Sequence, residues 1–422
     1  MKSIGLALLG LGTVGSGVMK VLHENSDTIR TREGLNLEIK KILVKDRSKQ
    51  RTVDVAAELL TDNFEDILND ESIDIIAEFM GGDVPAFTYL YRALQKGKSV
   101  VTANKEVIAK HWDELEQAAK TSGAGLYYEA CVGGGIPIIE SIIGSLQSNH
   151  IKKYMGIING TTNFILTKMS EEGRSFQDVL TQAQQLGYAE PDPTADIEGF
   201  DARYKLSILS TIGFRNRVTI DQIYCQGISQ ITSEDITYAK ELGFAVKLLA
   251  IAKNQNGRVE ARVHPTFIPL SHPLASVRDS FNAVFVEGDM VGELMFYGRG
   301  AGDLPTASAL VSDMIKAANN QGSHHRILLD EAPVIIENDW LSEYYLRLSV
   351  LDQPGVMAKI AGIFGQHQIS LNSVIQKQSN EDQATLIFIT HQTRESLVNR
   401  ALDEIKALDV VHSVGSVIRV EK

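Results

Sequence analysis

Four stretches of the chain carry side chains able to do chemistry. The densest runs from Gly187 to Lys205 and holds five acidic residues: Glu190, Asp192, Asp196, Glu198 and Asp201. Pro191 and Pro193 force an extended, turn-like path through it. A helix is expected from Gly199, with Leu206, Ile208 and Leu209 in its apolar run. Asp201 and Lys205 then share one helical face, four residues apart. Alone, this stretch reads as a solvated acidic loop with a surface ion pair. The other three stretches change that reading. Gly10-Leu11-Gly12-Thr13-Val14-Gly15 has the spacing of a dinucleotide-binding loop. Lys105 follows Thr102-Ala103-Asn104, where a strand gives way to a helix. Glu129 leads into Cys131-Val132-Gly133-Gly134-Gly135-Ile136, where a carboxylate and bare carbonyls suit a hard cation.

The glycine loop has the setting its chemistry requires. Ile4 to Leu9 is a short apolar run that predicts a buried parallel strand. Val14, Val18, Val21 and Leu22 then recur at helical spacing. Gly10 permits the tight turn, Gly12 lets a pyrophosphate approach the backbone, and Gly15 lets helix and strand pack. The helix N-terminus adds free N–H groups and a positive dipole end. A second strand over Leu37 to Val44 ends at Lys45-Asp46-Arg47. An acid there suits the ribose hydroxyl of NAD, and cations suit the 2′-phosphate of NADP. Lys45 and Arg47 favour NADP.

Strands over Ile73–Met80, Ser99–Val101 and Gly123–Glu129 continue the sheet, with a helix over Ala86–Lys96. A helix over Ile138–Leu146 and a strand over Ile151–Ile158 follow. Asn159-Gly160-Thr161-Thr162-Asn163 then marks a second strand-to-helix junction, suited to a small polar substrate or to an ordinary cap. Strands are expected near Val259–Ile268 and Ala283–Glu287. Glycines recur at Gly298, Gly300 and Gly302 before a helix over Thr306–Asn319, which would return to the cofactor domain. After a polar linker, Gln321 to Trp340, the last eighty or so residues read β-α-β-β-α-β, the ferredoxin-like order. This part resembles an ACT domain, a module that binds amino acids. Asp352 to Gly355 and Asn372 match where that family holds its ligand.

Composition narrows the class. At 422 residues, 44% hydrophobic and 22% charged, the chain predicts two or three globular domains with sizeable cores. A net charge of -12 and no basic cluster argue against nucleic acid. The two cysteines, Cys131 and Cys225, are too few for a disulfide framework and point to a cytoplasmic protein. The apolar start is broken at Gly10 and Gly12, too soon to span a membrane.

Taken together, the chain resembles the homoserine dehydrogenases. The resemblance rests on Ala183, Gly187-Tyr188, Asp192-Pro193, Asp196-Ile197, Gly199, Asp201 and Lys205. Gly10–Gly15, Glu78–Gly82, Thr102–Lys105, Glu129–Ile136, Asn159–Asn163 and Gly300–Ala309 match in the same order. It implies an α/β chain in three parts. A Rossmann-type dinucleotide-binding domain would take residues 1–130 and 305–335, an α+β catalytic and dimerisation domain 131–304, and a ferredoxin-like ACT domain 342–422. The implied reaction is reversible reduction of L-aspartate 4-semialdehyde to L-homoserine, on the route to threonine, isoleucine and methionine.

The resemblance also distributes roles. Lys205 becomes the candidate proton donor and Lys105 the second catalytic lysine, touching both substrate and cofactor. Glu190 and Asp201, supported by Asp196, would grip the substrate's ammonium group, with Tyr188, Gly160, Thr161 and Thr162 nearby. Gly10, Leu11, Gly12, Thr13, Val14, Gly15, Lys45, Arg47, Gly81, Thr102, Lys105, Gly187, Glu190 and Gly302 would hold NADP or NAD. A structural, sodium-like cation would sit at Glu129 with the carbonyls of Val132, Gly134 and Ile136. In the oxidative direction a lysine must act as base. An amine with an ordinary lysine pKa of about 10.4 does this poorly at neutral pH, so alkaline pH should favour oxidation. A homodimer or homotetramer is implied, with threonine as an effector of the ACT domain. Two rivals stand beside this reading. One is a phosphorylating semialdehyde dehydrogenase with Cys131 as nucleophile, and the other is a non-catalytic nucleotide and amino-acid sensor.

Overall fold

The structure, a computed structural model, describes residues 1–320, 327–330, 334–378 and 382–422. Part of the expected linker and of the expected 305–335 segment lies outside the described residues. The chain forms two compact units. The first comprises Met1–Gly160, Asp201–Ile223 and Phe281–Val334; the second comprises Thr161–Phe200, Tyr224–Ser280 and Ile335–Lys422.

In the first unit, six parallel strands form one sheet: β1 Lys2–Leu9, β2 Leu35–Leu43, β3 Leu60–Thr61, β4 Ile75–Glu78, β5 Ser99–Thr102 and β6 Leu126–Tyr127. Their order is β3-β2-β1-β4-β5-β6. The order turns around between β1 and β4, and in such sheets ligands bind beyond the carboxyl ends of the strands there. β1 is apolar because it is covered on both faces: every residue from Ile4 to Leu9 is buried. The helix Thr13–Glu24 adds Val18 and Leu22 to a core with Leu6, Leu8, Ile75 and Val101. The helix Asp303–Asn319 brings Ala307, Leu310 and Met314 to the same core. It begins three residues before the expected Thr306, because Pro305 is tolerated in a first turn that lacks N–H partners. Gly17 lets the two helices touch, since a Cβ there would lie 2.6 Å from the Asp303 carbonyl oxygen.

Two expected elements are shorter. The strand expected over Gly123–Glu129 reduces to β6, because Gly123, at φ 77°, ends the helix Trp112–Ser122 and Glu129 enters a tight turn, Glu129–Cys131. The helix expected over Ile138–Leu146 is α-helical only at Ile138–Glu140. It then widens, and the Leu146 N–H donates to the Ser141 carbonyl at 2.8 Å. Three antiparallel strands complete this unit, with Phe281–Gly288 between Ile151–Ile157 and Gly292–Arg299.

The second unit holds a long hairpin that sequence periodicity did not delimit. Phe244–Gln255 pairs with Arg258–Pro269 throughout. Its turn is Asn256-Gly257, both left-handed at φ 55° and 83°, as a tight hairpin turn requires. The C-terminal module has the expected order. Strands Leu341–Leu351, Leu371–Gln378, Gln383–Thr390 and Val411–Val420 alternate with helices Val356–Gln366 and Glu395–Lys406. The first strand pairs antiparallel with the last and with Gln383–Thr390, which pairs with Leu371–Gln378. Leu346, Leu348, Ile360, Phe364, Phe388 and Leu402 form its core. The last strand also pairs in parallel with Arg258–Pro269, Thr266 opposite Arg419 and Phe267 opposite Val420.

Candidate active site

The helix Phe200–Phe214 starts behind Gly199, whose φ of 83° favours glycine. Asp201 lies in its first turn, and Lys205 comes one turn later on the same face. The Lys205 Nζ lies 2.6 Å from Asp201 Oδ2 and also donates to the Ile158 carbonyl at 2.8 Å. That carbonyl follows the end of Ile151–Ile157, so the strand fixes the lysine. Asn159, the next residue, donates from Nδ2 to Asp201 Oδ2 at 2.9 Å. Lys105 reaches the same carboxylate from the sheet, its Nζ 3.2 Å from Asp201 Oδ1. Lys105 opens the helix Lys105–Lys110, which follows β5 and is capped by Asn104.

Asp201 is therefore a buried carboxylate between two ammonium groups. Burial alone would push its carboxyl up. The charges of Lys205 and Lys105, with hydrogen bonds from Lys205 and Asn159, outweigh burial and hold it well below the usual carboxylate range. Lys105 is the more open of the two, with 40% of its side chain exposed against 12% for Lys205. Such a pair can supply positive charge and a proton to a developing oxyanion. Sequence reading gives Asn159 no role beyond a junction suited to a small polar substrate or a cap, and it does not single out the Ile158 carbonyl. The only sequence signal for them was their place at a strand-to-helix junction.

The glycine loop has the local geometry of a phosphate cradle. Gly10 has φ 110°. A Cβ at Gly15 would lie 2.7 Å from the Gly10 carbonyl oxygen, so a side chain there is excluded. A Cβ at Gly12 would meet nothing within 4 Å, which leaves that face of the backbone open for a ligand. Gly12 caps the helix whose first residues are Thr13 and Val14, and Leu11 is partly exposed beside it. Beyond β2, Asp46 folds back on its own turn, accepting from the Ser48 N–H at 2.8 Å and hydroxyl at 2.6 Å. Lys45 and Arg47 are exposed and make no ion pair among the described residues. Gly81 follows β4 with φ 73°, Thr102 ends β5 in full burial, and Gly302 precedes Asp303–Asn319 with φ 126°.

Other expected site residues belong to the second unit. Thr161 and Thr162 are buried in the first turn of Gly160–Glu172, a helix that Gly160 opens from the first unit. The Thr161 hydroxyl donates to the Tyr188 carbonyl at 2.7 Å, and the Tyr188 ring packs on Phe164. Gly187, at φ 76°, ends the helix Phe176–Gln185. Glu190 is exposed and makes no ion pair among the described residues. Asp196 lies in a single helical turn, Thr194–Ile197. Asp192, which had no expected task, braces that turn by accepting from the Thr194 N–H and hydroxyl.

Glu129 is buried, and its oxygens accept from the Ile139 and Glu140 N–H groups at 2.9 and 2.7 Å. Burial, with Asp313 alongside, pushes its carboxyl up to about 7. Gly134 has φ 55°, and a Cβ there would lie 2.6 Å from Gly300. Val132 is buried next to this loop, and the Ile136 carbonyl accepts from the Ile138 N–H at 2.8 Å. Cys131 is 1% exposed, and burial pushes its thiol well up, so the nucleophile reading loses its chemical basis.

In the C-terminal module, a cavity of about 360 Å³ is lined by Asp352, Gln353, Gly355, Met357 and Gln376 among others. Asn372 is exposed on the strand Leu371–Gln378, outside that lining. Among the described residues, no helix is long and apolar enough to cross a membrane.

Comparison with known proteins agrees over the whole length. Residues 10–129 match the homoserine dehydrogenase NAD-binding domain, 137–315 the homoserine dehydrogenase family proper, and 344–410 the ACT domain. A homoserine dehydrogenase of Corynebacterium glutamicum is 44% identical, aligned over 100% of this chain and 96% of its own. The crystal structure of a homoserine dehydrogenase from Thiobacillus denitrificans superposes with a TM-score of 0.94 at 42% identity, covering 100% of this chain and 99% of its own. A hyperthermophilic archaeal homoserine dehydrogenase in complex with NADPH superposes with a TM-score of 0.64 at 29% identity, over 75% of this chain and 98% of its own. The chain belongs to the homoserine dehydrogenase family, in a form that carries NAD-binding, catalytic and ACT domains.

Proposed function

We propose that the chain interconverts L-homoserine and L-aspartate 4-semialdehyde with NADPH or NADH, in the synthesis of threonine, methionine and isoleucine. The observation that carries this reading is the Asp201 carboxylate held between Lys105 and Lys205. When bound, the nicotinamide supplies or accepts the hydride. The chain's own residues handle charge and protons. Lys205, held by Asp201 and the Ile158 carbonyl, is aimed to give a proton to the carbonyl oxygen as it becomes an alkoxide. Lys105 is the second cation and adds electrostatic stabilisation to the same oxygen. Asp201 holds both lysines in place. Its oxygens are already shared between the lysines and Asn159, so we assign the substrate's ammonium group first to Glu190, with Asp201 and Asp196 adding negative charge. Tyr188, Gly160, Thr161 and Thr162 shape the substrate's polar end.

Gly10 to Gly15 fit a pyrophosphate, as the open face of Gly12 indicates. Gly81, Thr102, Lys105, Gly187, Glu190 and Gly302 complete the cofactor's surroundings in this reading. Lys45 and Arg47 favour NADP, because Asp46 is occupied by Ser48 and the two cations are free of ion pairs among the described residues. The NADPH bound to the archaeal relative supports the same choice. Glu129 with the carbonyls of Val132, Gly134 and Ile136 fits a sodium-like ion in a structural role, since a cation offsets the buried charge of Glu129. The cavity at Asp352–Gly355 suits an amino acid, and threonine, as pathway product, is the effector we assign to it. The family supports a homodimeric or homotetrameric, cytoplasmic enzyme.

The test mixes the protein with homoserine and NADP or NAD and follows absorbance of the reduced cofactor. Growth of that signal with either cofactor supports the reading, and a flat trace with both overturns it in favour of a sensor.

A further inference from the structure

Glu78 is a buried acid with no assigned task. It ends β4, is 0% exposed, and its carboxyl is pushed up by burial against the pull of its hydrogen bonds. Among the described residues, every side chain and N–H that donates to it is neutral. Oε1 accepts from the Met80 N–H at 2.7 Å and, at 3.5 Å, from Asn104 Nδ2. Oε2 accepts from the Thr102 hydroxyl at 2.6 Å. A buried carboxylate without a cation is costly to keep, so its surroundings have a reason to hold it.

The reason lies in what the carboxylate joins. Glu78 and Thr102 are opposite each other at the carboxyl ends of β4 and β5. The Thr102 oxygen in turn accepts from the Asn104 N–H at 2.9 Å. Asn104 donates from Nδ2 to the Gly82 carbonyl at 2.8 Å and accepts from the Val107 N–H at 3.2 Å. One side chain therefore fixes two loops at once. One is Met80–Gly82, whose glycines have φ 73° and 72°. The other is Thr102–Lys105, which sets the first turn of the helix that Lys105 opens. The Thr102 hydroxyl thus donates to Glu78 while its oxygen accepts the Asn104 N–H, so one side chain links the carboxylate to the next loop.

We infer that Glu78 is a positioning residue that sets where Lys105 presents its ammonium group to the reaction. The inference rests on the catalytic role given to Lys105. An amide in place of the carboxylate turns an acceptor into a donor at one oxygen and loosens the relay through Thr102 and Asn104.

The experiment is a double-mutant cycle with Glu78→Gln and Lys105→Ala, reading kcat, homoserine KM and melting temperature. E78Q alone is expected to lower kcat by about 10- to 100-fold, the scale of a misplaced catalytic group, with folding intact. In the K105A background the same change is expected to cost less than about twofold, because there is no longer a lysine to misplace. An equal loss in both backgrounds, or parental turnover for E78Q, overturns the inference while leaving Lys105 its role. Parental turnover for K105A overturns the role of Lys105 and this inference with it. If E78Q folds poorly, Thr102→Val removes the donor to Oε2 and carries the same cycle.

Discussion

Lys105 and Lys205 meet on a single carboxylate, one at each oxygen of Asp201, at 3.2 and 2.6 Å. Two cations are thus held within reach of one another by a charge that lies between them. This arrangement governs how the site answers to substitution and to pH.

Asp201→Asn should uncouple both lysines. Loss of the charge leaves two neighbouring ammonium groups to repel, and turnover should fall by about 100-fold, the scale of lost acid–base catalysis. Steady-state homoserine oxidation measures it, and parental turnover would refute the arrangement.

The same carboxylate shapes acid stability. Its folded pKa lies below its unfolded value, so its stabilisation is complete above the unfolded pKa of about 3.9 and is lost as pH falls toward the folded one. D201N should therefore flatten the acid limb of stability against pH. Urea midpoints from pH 6 to pH 3 test this; equal slopes for parent and variant would count against it.

Lys205→Ala should remove the proton donor while sparing the glycine loop. We expect kcat to drop by about 100-fold or more and the dissociation constant for reduced cofactor to stay at its parental value. Fluorescence titration separates the two effects. A loss confined to cofactor affinity would reassign Lys205.

Lys247 makes a prediction on stability. It is 4% exposed, and its Nζ donates to Asn163 Oδ1 and the Val277 carbonyl, all within the second unit. Burial, with Arg278 adding repulsion, pushes its pKa down to about 8. Between pH of about 8 and about 10.4 the unfolded chain holds a proton that the folded chain lacks, so stability from this group rises with pH across that window. Relative to Lys247→Met, the parent should gain on the order of 2 kcal/mol from pH 8 to pH 10. Parallel denaturant curves for the two proteins would remove Lys247 as the source.

Cofactor choice turns on the end of β2. Lys45→Ala with Arg47→Ala should raise KM for NADP by about 10- to 100-fold, as expected for lost charge-assisted bonds, and leave KM for NAD nearly unchanged. An equal rise for both cofactors would place the 2′-phosphate elsewhere.

Much of the architecture was legible in the chain itself. The apolar run Ile4–Leu9, the three spaced glycines and the helix after them are local features, and β1, the loop and Thr13–Glu24 follow them closely. The β-α-β-β-α-β order of the last eighty or so residues was equally plain, because turn residues separate short periodic runs. The hairpin Phe244–Pro269 was read only in part, although Asn256-Gly257 is a strong turn signal. Its first strand is buried over most of its length and shows no alternation to read.

The site divides in the same way. Spacing alone put Asp201 and Lys205 on one helical face, because i and i+4 side chains meet in any α-helix. Spacing also made Gly10 and Gly15 a turn without side chains, because backbone sterics act locally. Nothing local brings Lys105 to Asp201, or aims the Ile158 carbonyl at Lys205 and Asn159 at Asp201. Those contacts join the carboxyl ends of separate strands to a helix far along the chain. They are set by how sheet and helix pack, and packing distances leave no periodic trace in sequence. The same holds for Glu78, one more apolar-strand terminus by its surroundings in the chain, which the folded sheet turns into the tie between two loops.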